Sequence, residues 1–99
     1  MQVSLKKEGQ TMVAAIQGSI NSANAAEFGD LLSALPGDAE RVTLDIAALD
    51  YISSAGLRVL LVAQKEMNKK NGQMTLTHVN ATVMEVLEVT GFTDILTIA

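Results

Sequence analysis

The strongest constraint in this 99-residue sequence is that a strand-like run, a helix-length run and a second strand-like run follow one another within residues 41–79, the first two joined by a loop. In residues 41–47, Val42, Leu44 and Ile46 alternate with Thr43 and Asp45, the period of a strand with two unequal faces. Residues 57–71 read as a helix closed by Asn71 and Gly72, with Lys69 and Lys70 in the last turn, where cations complement the helix dipole. Residues 73–79 alternate again, with Met74, Leu76 and His78 on one face and Thr75, Thr77 and Val79 on the other. A strand–helix–strand crossover within one sheet is right-handed and joins parallel strands. Strands buried on both sides would be apolar almost throughout, so these patterns predict helices mainly on one face of the sheet.

The flanking segments extend the same plan. Residues 2–7 and 11–17 read as a hairpin turned through Glu8, Gly9 and Gln10. Ala25, Ala26, Phe28, Leu31, Leu32 and Leu35 then recur at helical spacing up to Pro36 and Gly37, with Asn21 or Ser22 as the expected N-cap. A further helix over residues 81–90, capped by Asn80 and stopped by Gly91, leads to a last short strand at 95–98. The expected architecture is a single α/β domain over residues 1–99, with an N-terminal hairpin and a mixed, mainly parallel sheet.

Composition removes several classes of function. Hydrophobic residues make up 48% and charged ones 18%, enough apolar side chain for a folded core. Seven Lys plus Arg against eleven Asp plus Glu leave a net charge of -4, which opposes the basic surface that nucleic-acid binding requires. With no Cys and one His, His78, neither a thiolate cluster nor a multi-histidine metal site can form, and no cofactor is expected. No apolar run approaches the ~20 residues that cross a bilayer, and the N-terminus lacks a signal-like stretch, so a cytoplasmic protein without membrane insertion is the expectation.

In such a sheet the strand-to-helix loops gather at the carboxyl edge, where open α/β sheets usually bind ligands. The loops at 18–22, 49–56 and 78–80 meet that description, and the first two carry Ser19, Asn21, Ser22, Ser53 and Ser54. In the middle loop one serine caps the helix while Ala55 and Gly56 allow close packing, or a hydroxyl is displayed at a helix N-terminus that favours an added phosphate. The two readings are compatible. Leu57, Leu60 and Leu61 suffice as a sheet-facing stripe, leaving Val59 and Val62 either to flank packing or to a partner-binding face. Ser54 lacks a Gly-x-Ser-x-Gly elbow, and the one possible base, His78, falls in a strand, so a serine hydrolase is not expected. Asp45 and Asp50 read as solvated carboxylates.

The run from Leu44, Asp45 and Ile46 through Asp50-Tyr51-Ile52-Ser53-Ser54-Ala55-Gly56-Leu57-Arg58-Val59-Leu60-Leu61 resembles the signature of the STAS domain, in particular the bacterial anti-sigma factor antagonists. The likeness spans nearly the whole chain, including Gly18-Ser19-Ile20-Asn21, Asn71-Gly72 and Val89-Thr90-Gly91-Phe92. Aligning the glycine of the family's Asp-Ser-Ser/Thr-Gly-Leu motif on Gly56 puts its phosphorylated serine on Ser54, with Ser53 a rival acceptor. Ser53 then stands where the motif has aspartate, Ala55 where it has a second serine or threonine, and Asn21 where an aspartate often follows the second strand. Loss of a carboxylate removes a charge-assisted acceptor for the serine hydroxyl.

The resemblance implies a partner switch. The unmodified protein binds an anti-sigma factor that is also a serine kinase, freeing a sigma factor or other client; phosphorylation of Ser54 breaks that complex, and a PP2C-type phosphatase restores it. ATP and magnesium belong to the kinase. Asn21, Ser22, Ser53, Ser54, Ala55, Arg58, Val59 and Val62 form the expected contact surface. The alternative is a non-switching STAS docking subunit of a cytoplasmic transporter or regulatory complex, in which the serines only cap a helix.

Overall fold

The computed structural model describes residues 1–35 and 39–99; the helix stop expected at Pro36 and Gly37 lies outside the described residues. In chain order the elements are β1 (Gln2–Glu8), β2 (Thr11–Ile20), α1 (Ala25–Ser33), β3 (Arg41–Ile52), α2 (Ser54–Lys69), β4 (Gln73–Thr77), α3 (Ala81–Val89) and β5 (Thr97–Ile98), with a 3-10 turn at Phe92–Asp94. The five strands lie in sequence order in one sheet. β1 and β2 are antiparallel, and β2 through β5 are parallel. The expected hairpin, parallel crossovers and mixed sheet are therefore all present.

Alternation decides which sheet face is covered. Met12, Ala14 and Ile16 on β2, Val42, Leu44 and Ile46 on β3, and Met74 and Leu76 on β4 are buried. Thr43, Asp45, Thr75 and Thr77, on the opposite face, are only half-buried. The helices close the first face with Ala25 and Phe28 from α1, Leu57, Leu60 and Met67 from α2, and Val83 and Leu87 from α3. At roughly 25 cal/mol per Å² of apolar area removed from water, this one-sided layer supplies the main driving force for folding.

Several boundaries differ from the expected ones, for local reasons. β3 continues past Ala47 to Ile52 because the β2–β3 register shifts between Ala15 and Gln17 and again between Gly18 and Ser19. Ala47 and Ala48 are consecutively exposed, so the two-residue period breaks there although pairing resumes with Leu49 buried. Gly18, at φ 97°, occupies the second irregularity. β4 ends at Thr77, and His78 turns away at φ 59°, so His78 is not a strand residue as its alternation suggested. It is exposed, with Nδ1 3.1 Å from Asp45 Oδ1. Asp45 also accepts from the Ala47 amide at 3.1 Å, so it is a half-buried structural acceptor rather than a solvated carboxylate.

The N-cap of α1 is Asn24, not Asn21 or Ser22, and its side chain does not cap the helix. Asn21 acts one turn earlier. Its Oδ1 accepts from the amides of Ala23 and Asn24 at 2.9 and 3.1 Å, while Asn24 Oδ1 accepts from the Asn21 amide at 2.8 Å. Asn24 Nδ2 donates to the Ser19 carbonyl at 2.9 Å, completing a reciprocal polar turn. The last strand is shorter than expected because Gly91, at φ 79°, leads into the 3-10 turn. Among the described residues no helix is long and apolar enough to cross a membrane.

Candidate functional site

Sheet register brings the first two carboxyl-edge loops together. Ile20, the last residue of β2, pairs with Ile52, the last of β3, and the Ser53 amide donates to the Ile20 carbonyl at 2.8 Å. Asn21 and Ser22 consequently emerge beside Ser53 and Ser54. The third loop is tied to the same edge by Asn80, whose Nδ2 donates to the Leu49 carbonyl at 2.7 Å while its Oδ1 caps α3 by accepting from the Val83 amide at 2.8 Å. The capping role of Asn80 is legible from its place before an apolar helical run; its bridge to β3 spans 31 positions and leaves no local signal.

α2 begins at Ser54, three residues earlier than expected, because Ser53 takes the N-cap position with extended backbone. Its hydroxyl accepts from the Gly56 amide at 3.3 Å, and its carbonyl accepts from the Leu57 amide at 2.9 Å. Gly56 is required by a close approach. A Cβ there would stand 2.7 Å from both Ile20 Cγ2 and Ile52 Cγ1, two side chains 1% exposed. The helix start is thus pressed against the ends of β2 and β3, and the serine pair is fixed at the sheet edge.

The two serines are not equivalent. Ser53 is half-buried and committed to its cap, whereas Ser54 is exposed and, among the described residues, its hydroxyl has no hydrogen-bond partner. Of the other expected contact residues, Asn21, Ser22, Arg58 and Val62 are exposed, the last at 55%. Ala55 and Val59 are partly buried and pack against the core. The Val59 methyls lie 3.6 and 3.7 Å from the point a Cβ would occupy on Gly29 of α1, so this side chain is flank packing between helices. The exposed surface of α2 therefore centres on Ser54, Arg58 and Val62, spaced four residues apart along one helical face.

No acidic residue lies in the first turn of α2, so the positive end of the helix dipole is not locally neutralised. Among the described residues no three His, Asp or Glu side chains cluster as metal ligands. The edge offers a hydroxyl, a helix start and a mixed cationic and apolar face. A hydroxyl placed there is accessible to a second molecule.

The family described as Mlab, STAS domain, matches residues 3–97. The chain belongs to the STAS domain family. Within it the relationship is to the anti-sigma factor antagonists. BtrV of Bordetella bronchiseptica, which is assigned as an anti-sigma factor antagonist, is 40% identical over 100 residues, covering 100% of this chain and 86% of BtrV. The crystal structure of a Thermotoga maritima protein with the same assignment superposes with a TM-score of 0.87 at 22% identity, covering 97% of this chain and 84% of that one. SpoIIAA, an anti-sigma factor antagonist solved in its unphosphorylated form, gives a TM-score of 0.82 at 18% identity, over 99% of this chain and 88% of its own. The sheet order and helix placement found here are those of the STAS fold, and the family's antagonists are regulators rather than enzymes. The hydrolase reading is thereby closed on positive grounds.

Proposed function

We propose that this STAS domain is a phosphorylation-controlled anti-sigma factor antagonist, with Ser54 as the residue modified. The observation that carries the reading is the contrast within the serine pair: Ser53 spends its hydroxyl on the helix cap, while Ser54 presents a free one to solvent. The unmodified protein binds a serine-kinase anti-sigma factor through the α2 surface and the adjoining Asn21–Ser22 loop. The kinase binds ATP and magnesium and transfers the γ-phosphoryl group. The bond from Ser54 Oγ to phosphorus forms as the bond to the ADP oxygen breaks, and the hydroxyl proton passes to a base on the kinase. A PP2C-type phosphatase reverses the state by hydrolysis, returning the serine and inorganic phosphate.

The electrostatic arithmetic supports a switch without unfolding. A phosphate adds about -1.5 to -2 charges at a surface that must be desolvated on binding. A change of ~1.4 kcal/mol in association free energy already alters affinity tenfold. BtrV is named for antagonism of an anti-sigma factor, which supports the same class of partner here.

The test is incubation of the protein with ATP and each serine kinase that co-purifies with it, followed by intact-mass and peptide analysis. One phosphate on Ser54 is expected, retained in Ser53→Ala and lost in Ser54→Ala. Absence of phosphate across those kinases would leave Ser53 as a structural cap and Ser54 without a switching role, and favour a fixed docking subunit.

A further inference from the structure

Ser54 and Arg58 lie four residues apart on α2, which places their Cβ atoms about 5–6 Å apart on one face. Both are exposed, and among the described residues Arg58 has neither an ion-pair nor a hydrogen-bond partner. The amides of Ser54 and Ala55 are also without partners among the described residues, whereas those of Gly56 and Leu57 are taken by the Ser53 hydroxyl and carbonyl. The surroundings carry little competing negative charge. The first turn of α2 has no acidic residue, Asn21 is neutral, Asp50 points to solvent from the end of β3, and Glu27 and Asp30 are exposed on the neighbouring α1.

We propose that the phosphate of phosphoserine 54 is captured by the guanidinium of Arg58 on its own helix. The inference rests on the reading of Ser54 as the modified residue and adds how the modified state is held. A phosphate in the first turn of a helix is favoured by the dipole and by free amides. The planar guanidinium, one turn on, matches two phosphate oxygens with two parallel N–H donors. Capture gives the modification a second effect. Besides adding negative charge, it withdraws the Arg58 cation from the face it shares with exposed Val62, so a partner seated there loses one contact and meets a repulsive one. A carboxylate at position 54 is shorter, carries a single charge and reaches Arg58 less well, so Ser54→Asp imitates the state incompletely.

The test uses the 99-residue chain with phosphoserine installed at position 54 during translation, which removes any dependence on a kinase. Phosphorus NMR follows the second ionisation of the phosphate in the Arg58 protein, in Arg58→Lys and in Arg58→Gln. Capture predicts the lowest titration midpoint with Arg58, an intermediate one with Lys and the highest with Gln. Phosphorylation should also raise the thermal midpoint of the Arg58 protein by about 2–4 °C, with less than half that gain in Arg58→Gln and a smaller gain at high salt. Superimposed phosphorus titrations for Arg58 and Arg58→Gln overturn the proposal, whatever the thermal midpoints do. A kinase screen that fails to modify Ser54 would instead overturn the switch and leave these titrations unchanged.

Discussion

The two edges of the sheet differ in a way that bears on what this protein recognises. At the amino edge, where β3 and β4 begin, Glu40, Arg41, Lys70, Asn71 and Gln73 help line an open cavity of about 450 Å³. At the carboxyl edge the loops are drawn in by hydrogen bonds from Ser53 to Ile20 and from Asn80 to Leu49, and the helix start is pressed onto Ile20 and Ile52. The concave edge lacks the serines, and the serine edge is a display surface. Small ligands need enclosure, whereas a macromolecular partner needs a firmly held projecting surface. The exposed serine proposed as the modified residue therefore sits on an edge whose loops are held to the sheet by these bonds.

Glycine substitutions probe that contrast with the largest expected effects. Gly56→Ala forces a Cβ against two buried isoleucines, and overpacking of this kind costs about 1–3 kcal/mol. Gly72→Ala, at the amino edge, meets the flexible end of Met67 at 2.7 Å and the Glu40 carbonyl at 3.1 Å, so it should cost less. Denaturant titration of both variants checks the order; an equal or reversed order would remove the claim that the carboxyl edge is the more closely packed. Asn80→Ala comes next, at roughly 1–2 kcal/mol, because it deletes a helix cap and the bridge to β3 together. A loss no greater than that of Ser53→Ala, which removes a cap alone, would show that the bridge contributes nothing.

Two valines on α2 sharpen the same comparison at the level of binding. Val59→Lys drives an ammonium into the contact with Gly29 and should lower stability along with any partner affinity. Val62→Lys lies at 55% exposure and should leave the denaturation midpoint unchanged while weakening the partner complex. Ser54→Ala should change stability by no more than about 0.5 kcal/mol, since the cap belongs to Ser53. A larger loss would mean that the Ser54 hydroxyl is structurally engaged.

The fold was legible where one period runs without interruption. Val42, Leu44 and Ile46 announced β3, and the alternation at Met74 and Leu76 announced β4 together with the bare sheet face opposite the helices. It was hidden where two strands set a register between them. The bulge opposite Ala15 to Ser19 exposes Ala47 and Ala48 together, and no local pattern in β3 records that its partner shifts. His78 continued the alternation of β4 in the sequence yet leaves the strand, because left-handed backbone at a non-glycine residue carries little compositional signal. Ser53 and Ser54 were both visible as candidate caps and candidate acceptors. Only the backbone direction entering α2 separates them, assigning the cap to the first and leaving the second free.

Phosphate at Ser54 is the proposed control of partner binding. Its most direct measurement is calorimetric titration of the co-purifying kinase partner with the unmodified chain and with the chain carrying phosphoserine at position 54. A loss of affinity of about tenfold or more is predicted. Equal affinity for the two forms would contradict it.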